Sequence, residues 1–461
     1  MRKKSYTDGF FSVDSINGFL PIEQPLITLP KVYSPLQELL TQMPILTDQG
    51  QEGLLAREGL IEDYVHKLPN FINQVDQETN RFVQQALFRA YAFVASAYTL
   101  APAYHYYLKH GTYGKAHGKL PKNISQPFVS VASQLDVYPW LDYHYAYSLG
   151  NYKKLDPNRG MNWENLGMCV KFSGLPDECG FIMLHVDINQ YSPALIGGIF
   201  EALDSNNSES LNHALEGLVA TMKNINSRRK LMWEASRWKH YNDFRAFIMG
   251  IKGNDDIFEN GLIYQGVWDE PKAFRGQTGA QDNIIPTMDI FSGVIAHYPE
   301  NDLTRYLIDL RSYRPKCIQQ FLEDLRKIMF QKPLVGTLKN QNNQKGAIYL
   351  LELLEEIYLF RNGHWQFVQK YIMQNTAYPK ATGGTPITSW IPNQIKAVLL
   401  AMIQTHDIID PNYKPKDRED WVISYRRKVS LLNKQLDMLK VDQFDPKKLF
   451  DLNQKMRLRD F

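Results

Sequence analysis

Apolar residues recur at intervals of three and four along much of this chain, the spacing that lines one face of a helix. In "RFVQQALFRAYAFVASAYTLA" (81–101), Phe82, Leu87, Tyr91, Phe93 and Tyr98 form a broad apolar face. The same period predicts a helix from Ser210 to Trp238 and the longest one from Gly346 to Gln374. Shorter amphipathic stretches cover Asn301–Tyr313 and Cys317–Phe330. Strand-like alternation is scarce, and "NGLIYQGVW" (260–268) reads as a hairpin or an extended loop. Clusters of Pro and Gly predict loops at 108–123, 155–160, 268–283 and 376–390. Beyond Ile409 a charged segment reads as a tail packed on the surface. No internal repeat interrupts what is expected to be a mainly α protein.

Composition narrows the class. A hydrophobic share of 44% supports a real core and excludes a disordered chain. Aromatics reach 12%, which suits either an aromatic-rich core or flat apolar pockets. Lys plus Arg number 52 against 49 Asp plus Glu, a balance that gives no reason to expect nucleic acid or an anionic membrane as partner. Cys169, Cys179 and Cys317 form no CxxC unit, so neither a disulfide framework nor covalent haem attachment is expected. "MRKKSYTDGFF" lacks the apolar run of a signal peptide, and "AVLLAMI" is far short of a membrane span. A cytoplasmic protein is expected.

Two of the 11 histidines sit in apolar runs. His185 lies in "GFIMLHVDI", and His364 shares a helical stripe with Ile357, Phe360, Phe367, Val368 and Tyr371. Either is a core histidine satisfied by one hydrogen bond, or a ligand to a metal or cofactor. Arg361 lies three residues before His364, on nearly the same face. A guanidinium on an apolar face needs an anion, and Asp289 in "IIPTMDIFSGV" is a carboxylate among apolar residues. Haem has carboxylates on its edge and needs an axial ligand at its centre. It therefore suits this pair better than zinc, which would want three or four clustered ligands. There is no HExxH, and neither "RGQTGAQ" nor any other run forms a Rossmann fingerprint or a P-loop.

"GLIYQGVWDEPKAFRGQTGAQDN", then "DIFSG", "FRNGHWQFVQKYI" and "ATGGT", resemble in order and spacing the indoleamine 2,3-dioxygenase family. So do "GKLPKNISQPF", "YPWLDY" and "NWENLGMCVKFSG" upstream; together they cover roughly residues 15 to 405. The resemblance implies an all-α fold. A smaller N-terminal domain (1–170) would cover a larger haem-binding domain (171–408), followed by the charged tail (409–461). It implies haem b with His364 as proximal ligand, Asp289 in the shell behind it, and Arg361 pairing with that acid and a haem carboxylate. It assigns Arg245 to the substrate carboxylate and Tyr143, Phe181 and Tyr241 to pocket positions. Thr278 belongs to the loop over the haem and Thr382 to a loop that closes on substrate.

The chain departs from the family at several of these positions. His240 and Tyr241 replace two phenylalanines, and Gln277 replaces a glycine, so a more polar pocket is expected. The small distal serine falls on His185 by an ungapped count from Phe181, and on Met183 if counted back from Asp187; the ungapped count is carried forward. A distal histidine has a counterpart in tryptophan 2,3-dioxygenases, where it contacts the indole N–H. The implied activity is opening of the indole C2–C3 bond of L-tryptophan or a close indole by O2, giving N-formylkynurenine for the kynurenine pathway. The alternatives are a relative acting on a substituted indole in secondary metabolism, and a haem-binding sensor without turnover.

Overall fold

The structure is a computed structural model that describes residues 1, 4–300, 302–373, 382, 387–413 and 419–439. Its architecture is all-α. The first long helix, α1 (Arg81–His110), starts where the Asn80 side chain accepts hydrogen bonds from the N–H groups of Phe82 and Val83. It ends at Gly111, whose positive φ of 73° is the left-handed cap that glycine adopts without strain. The periodicity predicts one apolar face, but α1 is buried nearly all round from Val83 to His105. Its polar residues are answered by backbone: Gln85 Nε2 donates to the carbonyls of Tyr145 and Gly150 (2.6 and 2.8 Å), and Arg89 Nη1 donates to Gly150 (2.7 Å).

Helix α2 (Lys122–Leu135) packs on α1. Next come α3 (Pro176–Asn189), α4 (Ser192–Asp204) and α5 (Ser208–Arg229), with α4 lying along α5. The apolar period continues past Arg229, but the helix does not. The chain breaks at Lys230 and resumes as a single turn, Met232–Ala235. Helix α6 (Ile284–Ser292) packs on α7 (Lys316–Gln331). The long α8 (Gln344–Val368) lies between α5 and α9 (Ile387–His406). Its last turn widens to an i→i+5 pattern over Gln369–Met373. Gln374, the expected end, lies outside the described residues, as does most of the 376–390 loop. The described part of the C-terminal segment forms α10 (Glu419–Leu439), which packs on α9 and puts Val422, Tyr425 and Leu432 into the core.

Among the described residues only short strands occur. β1 (Lys119–Leu120) pairs in parallel with β4 (Ile263–Tyr264), and β2 (Tyr152–Lys154) pairs antiparallel with β3 (Leu166–Met168). In "NGLIYQGVW", Leu262 pairs antiparallel with nearby Lys272, while Ile263 and Tyr264 pair with a segment far upstream. One continuous cluster of buried residues runs from Tyr6 to Leu432, across the boundary expected near residue 170. No helix of the described residues is long and apolar enough to cross a membrane.

One contact fixes how α3 meets the turn after α5. A Cβ on Gly180 would lie 1.8 Å from the carbonyl oxygen of Ala235. Gly180→Ala is expected to push these elements apart and destabilise the protein by about 1–3 kcal/mol, the usual range for overpacking. Urea unfolding measures it; an unchanged midpoint would mean the two backbones do not touch in solution.

Candidate active site

A cavity of about 240 Å³ opens between α3, α6, α8 and the turn after α5. Phe181, Ile188, Met232, Ile248, Ile290, Phe367 and Val368 make most of its wall apolar. His364 projects into it from α8, one turn after Phe360 and one turn before Val368. Its side chain is exposed and lines the cavity. Enclosure by protein, reinforced by the charges of His185, Arg229 and Arg361, pushes its pKa down to about 4. At neutral pH the imidazole is uncharged, the form that ligates metals. No side chain among the described residues hydrogen-bonds it.

Behind it lies the acid–arginine pair expected from sequence. Arg361 Nη2 and the Tyr298 hydroxyl both donate to Asp289 Oδ2, Arg361 Nη2 lies 3.2 Å from the Tyr298 oxygen, and Arg361 Nη1 donates to the Gln394 carbonyl (3.0 Å). Burial raises Asp289 while Arg361 and Tyr298 oppose it; Arg361 is held firmly protonated by Asp289. Asp289 Oδ1 and Arg361 Nε are buried with no hydrogen-bond partner among the described residues. Both residues line the cavity, so one acceptor and one donor stay unanswered beside it.

His185 faces the cavity from α3. Its Nδ1 is 2.9 Å from the Phe181 carbonyl, an acceptor only, so Nδ1 carries the hydrogen and Nε2 keeps its lone pair. That nitrogen points toward the loop over the cavity, with a Cβ built on Gly279 meeting it at 3.7 Å. Burial holds His185 below the usual histidine range, with Asp282 opposing. The loop itself is pinned by close backbone packing: a Cβ on Gly250 would lie 2.0 Å from Gly276 N, and one on Gly276 would lie 2.3 Å from Gly250 N. Thr278 caps the turn Gly279–Gln281, its hydroxyl accepting from Ala280 N (3.4 Å). Thr382 donates through its hydroxyl to the Gln277 carbonyl (2.9 Å) and accepts at its own carbonyl from Gly250 N (2.9 Å).

The cavity wall thus brings together His364, Arg361, Asp289, His185, Phe181, Tyr241, Thr278, Gln277 and Thr382. Four other positions weighed in the sequence do not reach it. Tyr143 is fully buried and sets its edge against His185 (5.9 Å between centroids), while its hydroxyl donates to Asp282 Oδ2 (2.8 Å). Arg245 is also fully buried, and its charge acts on the hydroxyls of Tyr113 and Tyr241. His240 turns outward to Asp243 (3.0 Å), so the added polarity expected from that replacement does not reach the pocket. Met183 packs in the core and His185 does not. Sequence reasoning missed Arg229, Asp282 and Tyr298 on the wall. Arg229 sits in "NSRRK", which reads as a solvated helix end, and Tyr298 in "AHYPE" carries no local signal.

No group of three or more His, Cys, Asp or Glu side chains gathers as a metal site among the described residues. A neutral imidazole with no hydrogen-bond partner among the described residues, in a mostly apolar helical cavity and backed by an acid–arginine pair, suits a planar cofactor that brings most of its own metal ligands. The residues present fit haem. A sequence model of the family described as indoleamine 2,3-dioxygenase matches residues 8–397, and this chain belongs to that family. It is a haem-dependent dioxygenase. It is 25% identical over 370 residues to indoleamine 2,3-dioxygenase 1 of Rattus norvegicus, covering 79% of this chain and 84% of that protein. With indoleamine 2,3-dioxygenase acdA of Aspergillus candidus the identity is 24% over 405 residues, covering 80% and 90%. A protein named myoglobin, from Haliotis madaka, is 26% identical over 262 residues, covering 56% and 66%.

The loop is braced from beneath by a second buried imidazole. His144 Nε2 lies 3.0 Å from Asn283 Nδ2 and 3.2 Å from Asn283 Oδ1, and that oxygen also accepts from Arg314 Nε (3.0 Å). Burial, with Arg314 adding to it, pushes His144 down to about 3. As pH falls below about 6.5 the unfolded chain takes up a proton here that the folded protein refuses until about 3. Stability is therefore lost across that window on acidification. His144→Phe should reduce the loss between pH 7 and pH 5 by about 2 kcal/mol, measured by urea unfolding at both pH values. An identical loss in both proteins would show that His144 does not stay neutral.

Proposed function

We propose that this dioxygenase opens the C2–C3 bond of an indole, L-tryptophan or a close relative, to give an N-formylkynurenine-type product. The observation that carries the reading is the cavity with a neutral imidazole on each of two facing elements, His364 on α8 and His185 on α3. Haem b supplies the activation of O2, for which no side chain here is equipped. His364 is its proximal ligand. Asp289 and Arg361 hold that side of the cavity and set the basicity of His364, and Arg361 also answers a haem carboxylate.

On the other side His185 acts as a hydrogen-bond acceptor. Its Nε2 lone pair receives the indole N–H, which fixes the ring's orientation for attack. Phe181 and Tyr241 supply aromatic faces, and Thr278 and Thr382 close the loop above the substrate. Water is excluded by the apolar wall. Arg245 takes a substrate carboxylate once Tyr241 has shifted from beside it. Tyr241 and Gln277 add polar groups to the wall, which favours a substituted indole over a plain one.

A second reading, a haem protein without turnover, draws support from His185 and from the relative named myoglobin. In it the lone pair of His185 would also hold the haem iron. An absorption spectrum of the ferrous protein separates the two, since a six-coordinate bis-histidine form that resists O2 belongs only to the second.

His364→Ala should fold but lose most of its haem, read as heme absorbance per protein after purification; full retention would remove His364 as the ligand. His185→Ala should keep haem and lower affinity for L-tryptophan by roughly tenfold, the scale of one buried hydrogen bond. The sharper comparison uses 1-methyl-L-tryptophan, which has no indole N–H. His185→Ala should leave its affinity nearly unchanged. Equal losses for both ligands would give His185 a packing role instead.

A further inference from the structure

Two consecutive arginines end α5, and they meet different fates. Arg228 pairs with the buried Asp187, its Nε 2.9 Å from Oδ1, and so ties α5 to α3. Arg229 turns the other way, onto the cavity wall. There, among the described residues, its guanidinium meets neutral acceptors at long range, Asn226 Oδ1 (3.3 Å) and the Leu359 carbonyl (3.5 Å). Its cationic end lies 5.7 Å from the centroid of the Phe360 ring. No carboxylate among the described residues pairs with it. It is half-buried, and burial lowers its pKa without any acid to compensate.

Gly363 leaves room for it. A Cβ on Gly363 would fall 2.0 Å from Arg229 Nη1 and 2.3 Å from Cζ. The guanidinium therefore lies directly on the backbone of α8, against the residue next to His364. A cation that is partly dehydrated and has no carboxylate partner among the described residues, seated on the wall of a mostly apolar cavity, calls for an anion within that cavity. A solvated arginine resting on an aromatic ring is the ordinary alternative, and the test below separates it from a cofactor contact.

We infer that Arg229 binds a carboxylate of the bound haem, as a second cationic contact separate from the Arg361–Asp289 pair. The inference rests on the haem reading above. A planar guanidinium suits a carboxylate because two parallel hydrogen bonds match it. Arg229 reaches the cavity at the level of α8, the element that carries the proximal ligand, so the cofactor's own carboxylate is the anion within reach. The contact makes haem retention depend on charge as well as on the iron–histidine bond.

The test compares hemin with hemin dimethyl ester, which keeps the ring and the iron but lacks the two carboxylates. Haem-free full-length protein is titrated with each in the same dilute detergent, and binding is followed by quenching of tryptophan fluorescence. Arg229→Met should weaken hemin by about tenfold or more and leave the ester unchanged. Unchanged ester binding also shows that the variant's cavity is intact. Arg229→Lys should recover part of the loss. Equal losses for hemin and ester would make Arg229 a packing residue and overturn the inference. So would unaltered hemin binding, including the case in which the variant instead loses affinity for L-tryptophan but not for tryptamine, which would assign Arg229 to the substrate's carboxylate. Wild-type protein that binds neither hemin nor ester would overturn the haem reading itself, a result distinct from failure at Arg229 alone.

Discussion

Asp289 and Arg361, on α6 and α8, share a hydrogen bond in a place where both side chains are buried. That pairing is the constraint on which the rest of the cavity depends. Removing one partner of such a pair leaves an uncompensated buried charge, which typically costs about 3–5 kcal/mol. With both present, α6 and α8 are fixed relative to each other, and α8 also reaches α9 through the Gln394 carbonyl. His364 is one turn further along α8, so its direction is set by a pair it does not itself contact by hydrogen bonding.

The two cavity histidines show how similar surroundings give different chemistry. Burial depresses both. His185 spends one nitrogen on the Phe181 carbonyl, and so its tautomer is decided by its own helix. Among the described residues, no group hydrogen-bonds either nitrogen of His364. The first is an oriented acceptor, and the second is available to whatever the cavity contains.

Much of this was legible in the sequence, for a physical reason. His364, Arg361 and Asp289 are polar residues inside strongly apolar helical runs, and a buried polar group must have a partner. The helical period of α8 and the loop at 268–283 were readable on the same grounds. What escaped depends on contacts between distant segments. β1 and β4 pair across more than a hundred residues, and neither is long enough to show a strand period. The apolar period after Arg229 reads as more helix, but Met232 and Trp233 are apolar because they line the cavity. Arg229 was invisible because its meaning depends on a glycine of another helix. His240 and Tyr241 read alike as pocket replacements, yet the turn they occupy sends one out and the other in. The domain boundary and the catalytic roles of individual residues rest on the resemblance.

The back-to-back approach of Gly250 and Gly276 makes two distant positions one unit. Each excludes a side chain because the other's backbone is already there. Around it, Ile251 N and Lys252 N both donate to the Phe274 carbonyl, so the two segments cannot slide apart without breaking a ladder. A methyl group at either glycine would force the same separation, and once the segments are apart a second methyl meets open space. Energies at the two sites should therefore be strongly non-additive, the double substitution being little worse than either single one. Mutational scans that treat positions one at a time would count this single contact twice.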